Sequence, residues 1–445
     1  MVRPVDHDES QYVAATVLTA QGLLPYRDFL YLQTPLQPFL FAPLAWAAGA
    51  GAWPALRLAN ALLGAVTVVC TWRAARLVAP APIAAAAALL FAGTDILLFA
   101  SGTARNDALP AACLTGALWC AVRAERGRSG RVGALVAGLL LAGAAAAKIS
   151  YALPALAYGL WAISRPTHRP LWVALGALPV AAFVVWSVGQ APAGFWFGAV
   201  AFPLDAPADW YAERPWKLSP LAKAVDTLKF LALGAALPAL AIVLRRPRAD
   251  LLLWLMLAGL LAGLAPTPTW RQYLLPALPP LFVALAVRWA ETPPGRASRI
   301  VFAVFALAGL APSAAALASG APGMAALWRQ GRALRAAMYR AGVAGPVATL
   351  SPQVLPATGR SVDPRFAAGP FYFRSRTLRP PAGPPLLARR DLPRAPLPAA
   401  VLVGGEDRWS SGDPRLDRAL EQEAARRGYR LVPVAGAPFR LWVRR

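Results

Sequence analysis

Acidic side chains are scarce in this chain. Its 445 residues hold 21 Asp and Glu against 45 Lys and Arg, and charged residues of both signs reach only 15%. An ordinary soluble domain carries about 25% charge, so the deficit argues against water as the main solvent. Cysteine is equally sparse. Cys70, Cys113 and Cys120 all fall inside apolar runs, which excludes a disulfide framework or cysteine metal cluster and leaves them as small packing residues. No phosphate-binding P-loop, dinucleotide fingerprint, nucleophile elbow or zinc spacing is present. The opening MVRPVDHDESQY is polar and has no apolar stretch of the signal-peptide type.

What is abundant is apolar: 58% of the residues are hydrophobic. Runs of Ala, Leu and Val of about 20 residues recur, each long enough to cross a hydrocarbon core roughly 30 Å thick as a helix. Ten such spans are read. They lie near Pro54–Val78, Pro82–Ala100, Ala108–Ala124, Val132–Ala147 and Ile149–Ile163, then Leu171–Val188, Ala224–Leu244, Leu251–Leu264, Tyr273–Val287 and Ile300–Ala318. The fourth and fifth are nearly continuous through Lys148. Pro35–Ala50 is apolar but short, and reads as a helix at the interface.

The net charge of +24 divides into two parts, neither of which resembles a nucleic-acid footprint. One is a set of Arg-rich connections: Arg73 and Arg76; Arg123, Arg126, Arg128 and Arg131; Arg165 and Arg169; Arg245, Arg246 and Arg248; and Arg288, Arg296 and Arg299. They alternate along the chain, which makes them cytoplasmic by the positive-inside rule. The external segments are then 1–53, Ser101–Asp107, a long Gly189–Lys223 loop, Pro266–Gln272 and the tail. An external amino-terminal segment leads us to expect a further apolar helix before it. The second part is the tail from Gly320, where Arg outnumbers acid 21 to 8. Short runs at Val347–Leu350, Phe371–Phe373, Ala400–Val403, Leu431–Val434 and Phe439–Val443 read as strands. Asp413–Arg427 reads as an amphipathic helix with Leu416 and Leu420 inward, Glu421, Glu423, Arg426 and Arg427 outward, and Gly428 as its C-cap. Pro380–Pro398 is a Pro-rich connection.

The fold class expected is therefore mainly α: a polytopic membrane helical bundle carrying a small C-terminal extracytoplasmic α/β domain. Residues 1–53 form an external acidic segment with interfacial helices, 54–319 the transmembrane helical domain, and 320–445 the Arg/Pro-rich domain.

Asp6, Asp8 and Glu9 crowd three carboxylates into four positions, a cost that a cation, a substrate hydroxyl or solvent must offset. A carboxylate at that surface suits a general base; an acidic N-cap for the following helix is the plainer account. Asp107, beside Arg105, has the same two readings. Lys148 interrupts an apolar run, where a charge faces a polar cavity or snorkels to the interface. Lys148 and Arg271, with Tyr273 next to Arg271, suit an anionic group such as phosphate. Trp196, Trp210, Tyr211 and Trp216 read as an interfacial belt or a surface for sugar rings. His7 with Asp6, Asp8 or Glu9 leaves room for a divalent metal, although nothing in the sequence requires a cofactor.

The segments DHDESQY, GLLPYRDF, Thr34–Leu36, Arg57–Asn60, ARNDALPA, AKISYALPAL and RQYLLPALPP together resemble the GT-C glycosyltransferases. They look most like the group of protein O-mannosyltransferases and lipid A aminoarabinose transferases (glycosyltransferase family 39-like), in order over residues 6–290. The resemblance implies transfer of a sugar from a polyprenyl-phosphate carrier to a hydroxyl of a lipid, glycan or protein at the outer face of the cell membrane. It implies Asp8 as base, Glu9 supporting it or touching the sugar, and Asp107 as the second acidic position. Lys148, Arg271 and Arg27 would neutralise the leaving phosphate. One departure is Gln33–Thr34, where aminoarabinose-type relatives carry a basic residue before Pro-Leu. The competing functions are a secondary transporter, against which stands the lack of repeated halves, and a non-catalytic scaffold for envelope assembly.

Overall fold

In the computed structural model the described residues are 3–319, 323–380, 383–405, 413–436 and 438–445. Glu9–Ala20 forms α1, Leu36–Ala48 α2 and Ala52–Arg76 α3. The helix expected over Pro35–Ala50 runs on through a single 3-10 turn into α3, so that Leu36–Arg76 is one apolar helical unit. Ala81–Ala92 (α4) and Asp95–Gly102 (α5) divide the second span with a bend of 63°. Ala108–Glu125 (α6), Arg131–Ala147 (α7), Ala152–Ile163 (α8) and Pro170–Gln190 (α9) follow. Lys148 has extended backbone, and this breaks α7 from α8.

The segment 189–223, expected as a loop, is largely helical. Pro192–Trp196 (α10), a π turn and Phe202–Trp210 (α11) press it onto the 26–31 segment. Gly194 and Gly198, one turn apart, permit this, since a Cβ on either would strike the carbonyl of Tyr26 or Tyr31. Pro220–Ala232 (α12) and Ala236–Arg245 (α13) then bend by 101°. Leu251–Leu264 (α14), Leu278–Glu291 (α15) and Arg296–Ala318 (α16) complete the bundle.

All ten apolar segments are thus helical. Leu36–Arg76, Pro170–Gln190, Arg271–Glu291 and Arg296–Ala318 are long and apolar enough to cross a membrane, and the two bent pairs pass the same test jointly. Leu58, Leu62, Val66 and Val69 on α3, and Ile300, Val304, Leu307 and Leu310 on α16, are exposed along the outside. Continuous outward stripes of this kind need lipid rather than water. Some of the connections are tied to one another by polar contacts. Glu125 accepts from Trp161 Nε1 at 2.6 Å and lies 2.9 Å from His168 Nε2, and Arg248 pairs with Glu291. Residues 3–9, 95–107, 148 and 271 are joined by ion pairs of their own, which among the described residues include none of the Arg-rich connections.

The tail opens with Met324–Arg340 (α17) and contains four strands: β1 (Val347–Thr349), β2 (Ala400–Val403), β3 (Arg430–Val432) and β4 (Arg440–Val443). Their order is β1-β2-β4-β3, with β1 parallel to β2 and the other pairs antiparallel. The strand expected at Phe371–Phe373 is instead a short helix, Pro370–Phe373 (α18). Pro370 stands at its first position, where a missing N–H and a fixed φ suit a helix start, and all three aromatics are buried. Pro414–Arg426 (α19) is capped by Asp413, which accepts from Arg415 N at 3.0 Å, and Gly428 has the left-handed φ of 75° that suits a helix end. Leu416 and Leu420 face inward as expected. Glu423 does not face outward: it is buried, with Arg427 and Arg426 folded onto it at 2.7 and 2.8 Å. The Pro-rich connection over 380–398 holds one 3-10 turn, Arg389–Asp391; its residues 381 and 382 lie outside the described set, as do 320–322 at the expected start of the tail.

One apolar core runs from the amino-terminal segment into the tail. Tyr12, Val13, Leu18 and Phe29 pack with Leu334, Val347, Val354 and Leu402. The acidic segment is therefore held between the bundle and the sheet domain.

Candidate active site

Asp8 occupies the N-cap of α1 and Asp107 the N-cap of α6, and neither carboxylate caps its helix. Both turn to Arg105 instead. Its Nη1 pairs with Asp8 and, at 2.7 Å, with Asp6; its Nε donates to Asp107 Oδ2 at 3.0 Å. The other oxygen of Asp107 pairs with Lys148, whose Nζ stands 5.1 Å from the centre of the Tyr273 ring. Lys148 is 3% exposed, so it does not snorkel. The structure thus unites five residues singled out in the sequence: Asp8, Arg105, Asp107, Lys148 and Tyr273.

Arg105 is fixed through its own backbone. Its carbonyl accepts from Asn60 Nδ2 at 2.6 Å and Gln37 Nε2 at 3.2 Å, and Asn60 also takes the Thr103 carbonyl at 2.7 Å. Asn106 Nδ2 donates to the Ala147 carbonyl, which ties the turn to the strand-like break at Lys148. Burial opposes the Arg105 charge, but Asp8, Asp6 and Asp107 outweigh it and raise its affinity for the proton. Asp107 lies in the turn before α6. Burial pushes its carboxyl up, yet Lys148 and Arg105 together hold it below the ordinary carboxylate value.

Glu9 points the other way. It is fully buried and accepts from Arg57 Nε at 2.7 Å, Arg57 Nη2 at 2.5 Å, Trp53 Nε1 at 3.1 Å, Ala104 N at 2.6 Å and Asp6 N at 3.0 Å. Arg57 in turn donates to the Arg3 and Pro4 carbonyls. The structure therefore places Glu9 as the rivet between the acidic segment, α3 and the 103–107 turn, away from Asp8.

Arg271 belongs to a second cluster. Its Nη1 donates to Asp95 Oδ2 at 2.7 Å, and its guanidinium lies 4.3 Å over the Phe99 ring; Asp95 also pairs with Arg3. The Arg105 guanidinium stands 5.2 Å from the same ring, so Phe99 separates the two cations. Asp95, Arg3 and Phe99 escaped the sequence reading. A carboxylate inside the apolar run Pro82–Ala100 was the available signal. Arg27 lies apart, half exposed and paired with Asp28 at 2.8 Å.

Aromatics from two later segments pack beside His7. The His7 ring stacks on Phe371 at 5.4 Å, Phe371 meets Trp210 at 5.9 Å, and Arg374 lies 3.6 Å over Trp210. Asp209 accepts from Arg376 N at 2.8 Å and Thr377 Oγ1 at 3.0 Å, fastening α11 to the tail. Trp196 and Trp216 remain exposed. As for a metal, one ligand atom each from Asp6, His7 and Asp8 falls within 4.8 Å of the others. Arg105 already supplies the countercharge to both carboxylates, so a divalent ion fits only by displacing it, and Glu9 is committed to Arg57.

Residues 32–196 match the family described as dolichyl-phosphate-mannose-protein mannosyltransferase. The structure is similar to that of ArnT from Cupriavidus metallidurans, both in its apo state and bound to undecaprenyl phosphate. The TM-score is 0.59 with 16% identity, covering 99% of this chain and 94% of that one. The chain has the GT-C fold. A GT-C resemblance was legible in the order of its short motifs, and the family match spans those around Arg57, Arg105, Asp107 and Lys148. The archaeal oligosaccharyltransferase AglB from Archaeoglobus fulgidus, in complex with an inhibitory peptide and a dolichol-phosphate, matches with TM-score 0.46 and 13% identity over 98% of this chain and 71% of that one. No curated protein matches the chain in sequence.

Proposed function

We propose that this GT-C chain is a membrane glycosyltransferase that moves a sugar from a polyprenyl-phosphate carrier to a hydroxyl on a lipid, glycan or protein acceptor. The end of the bundle that gathers Asp8, Asp107 and Arg271 is its outer, extracytoplasmic face. The observation that carries the reading is the sharing of Arg105 by Asp8 and Asp107: a partly exposed carboxylate is paired with and oriented by a buried cation. Asp8 accepts the acceptor's hydroxyl proton while the acceptor oxygen forms its bond to the anomeric carbon. The bond from that carbon to the phosphate oxygen breaks, its electron pair leaves on the polyprenyl phosphate, and the anomeric centre inverts. Arg271, one-third exposed beside Asp8's network, stabilises the phosphate charge as it develops. Lys148 acts through Asp107, by fixing that carboxylate and, through it, Arg105. Glu9 anchors the segment that carries Asp8. The tail, residues 320–445, closes the mouth through Phe371.

The two bent helix pairs favour a transporter as the second reading, because interrupted helices build ion sites there. They meet where Asp95 N donates to the Leu233 carbonyl at 2.9 Å. Both oxygens of Asp95 are taken by arginines, however, which leaves that break without a coupling site. The deciding experiment supplies membranes with a labelled polyprenyl-phosphate sugar and envelope acceptors. Transfer by the wild type that Asp8→Asn abolishes supports the reading; absence of transfer to every acceptor refutes it, and full transfer by the variant refutes the base assignment alone.

A further inference from the structure

The Arg excess of the tail is not evenly matched. Arg365, Arg415, Arg427 and Arg440 each sit on a carboxylate of the same domain. α17 differs. No acidic residue occurs anywhere between Glu291 and Asp363, and α17 lies inside that stretch. Arg329, Arg332, Arg335 and Arg340 are exposed on it, and none of them forms an ion pair among the described residues. Leu327, Leu334, Ala337 and Met338 are buried beneath. At 100° per residue the four arginines and Tyr339 fall in one sector opposite that apolar face. Tyr339 is 80% exposed.

The position of this helix is as specific as its charge. α16 ends at Ala318 and α17 begins at Met324, so its first turn stands within a few residues of the end of a span. Trp328 lies against Gly51, at the junction of α2 and α3, next to the exposed, lipid-facing Leu40, Leu44 and Trp46 of α2. A basic amphipathic helix with an exposed tyrosine at that level meets the headgroup layer.

We propose that the outer face of α17 binds anionic phospholipid headgroups, with Arg329, Arg332 and Arg335 as the phosphate contacts and Tyr339 at the headgroup boundary. The association holds the sheet domain down against the bilayer, independently of the chemistry at Asp8.

The test uses the full chain in detergent, titrated with phosphatidylglycerol or phosphatidylcholine, with bound lipids counted by native mass spectrometry. The wild type retains phosphatidylglycerol over phosphatidylcholine. The set Arg329→Gln, Arg332→Gln, Arg335→Gln lowers that retention by about 100-fold, at about 1 kcal/mol for each arginine, while the charge-matched set Arg389→Gln, Arg418→Gln, Arg430→Gln leaves it unchanged. Equal loss in both sets, or none in the first, overturns the proposal. Phosphatidylglycerol retained by the first set together with lost binding of dextran sulfate assigns the face to acidic glycans and overturns it too. Melting temperature checks folding. Should the triple set unfold, Arg332→Glu alone must lower retention and Arg332→Lys must keep it.

Discussion

Asp8 and Asp107 meet on one guanidinium, that of Arg105, although nearly a quarter of the chain separates them. Asp107 is fully buried and Asp8 partly open, so the same cation serves one carboxylate closed to solvent and one that reaches it. Replacing Asp8 by Asn keeps shape and removes the basic oxygen. Transfer then falls by about 10²–10⁴-fold, while the melting temperature stays near that of the wild type. Parallel rate and melting measurements check it; equal loss in both makes Asp8 a structural residue.

Glu9 is expected to give the opposite pattern. It and Arg57 form a buried pair with no exposed atom to meet a substrate. Glu9→Gln leaves the Arg57 charge unpaired, which costs roughly 3–5 kcal/mol for a buried pair broken on one side. Urea or thermal unfolding in detergent should show that loss, and the residual folded fraction should retain near-normal turnover. A variant as stable as the wild type sinks this role.

These two neighbours show how far the sequence carries. The helicity of the apolar runs and four of the five short strands followed from apolar periodicity, because those obey local rules. The division of labour between Asp8 and Glu9 did not. Adjacent residues on a helix differ by 100° in direction, and which one meets Arg57 depends on how α3 packs. The N-cap account of Asp8 and Asp107 was locally sound, and the tertiary cation at Arg105 overrode it. Segment 189–223 looked like a loop because its prolines hid short helices held by glycine contacts. Asp95 was hidden by the length of the apolar run around it.

Asp107 also sets a pH expectation. Its carboxyl is held below the ordinary value of 3.8 by Lys148 and Arg105 against the effect of burial. A depressed folded value means the stability it contributes is complete above the unfolded value and is lost as pH falls through the folded one. The melting temperatures of the wild type and Asp107→Asn should differ by a constant amount near neutral pH and converge only below about pH 4. Convergence at pH 6 contradicts the pairing.

The metal question has a direct test. Asp6, His7 and Asp8 are close enough to ligate an ion, but Arg105 neutralises the same carboxylates. Transfer in EDTA should therefore match that in buffer. Arg105→Gln vacates the guanidinium position, and activity of that variant should return on adding Mn²⁺ or Mg²⁺. Loss of wild-type activity in EDTA, recovered by added metal, reverses this view.

Arg271 is mounted at two points of α5, with Asp95 holding its Nη1 and Phe99 lying beneath its plane one turn later. Its side chain is 32% exposed, which leaves it open to an anion. Phe99→Leu removes the stacking surface and keeps an apolar side chain of similar bulk, so the bundle should stand. The guanidinium then loses its fixed plane, and Phe99 no longer spaces it from Arg105. We expect weaker binding of polyprenyl phosphate by about 3- to 10-fold, in line with a cation–π contact of 0.5–1 kcal/mol or somewhat more when desolvated. Arg271→Lys keeps the charge without the planar fork and should lose more. Titration of the purified chain with polyprenyl phosphate, read without any sugar transfer, separates this from the assignment of Asp8. Unchanged affinity in both variants means that the phosphate is held elsewhere.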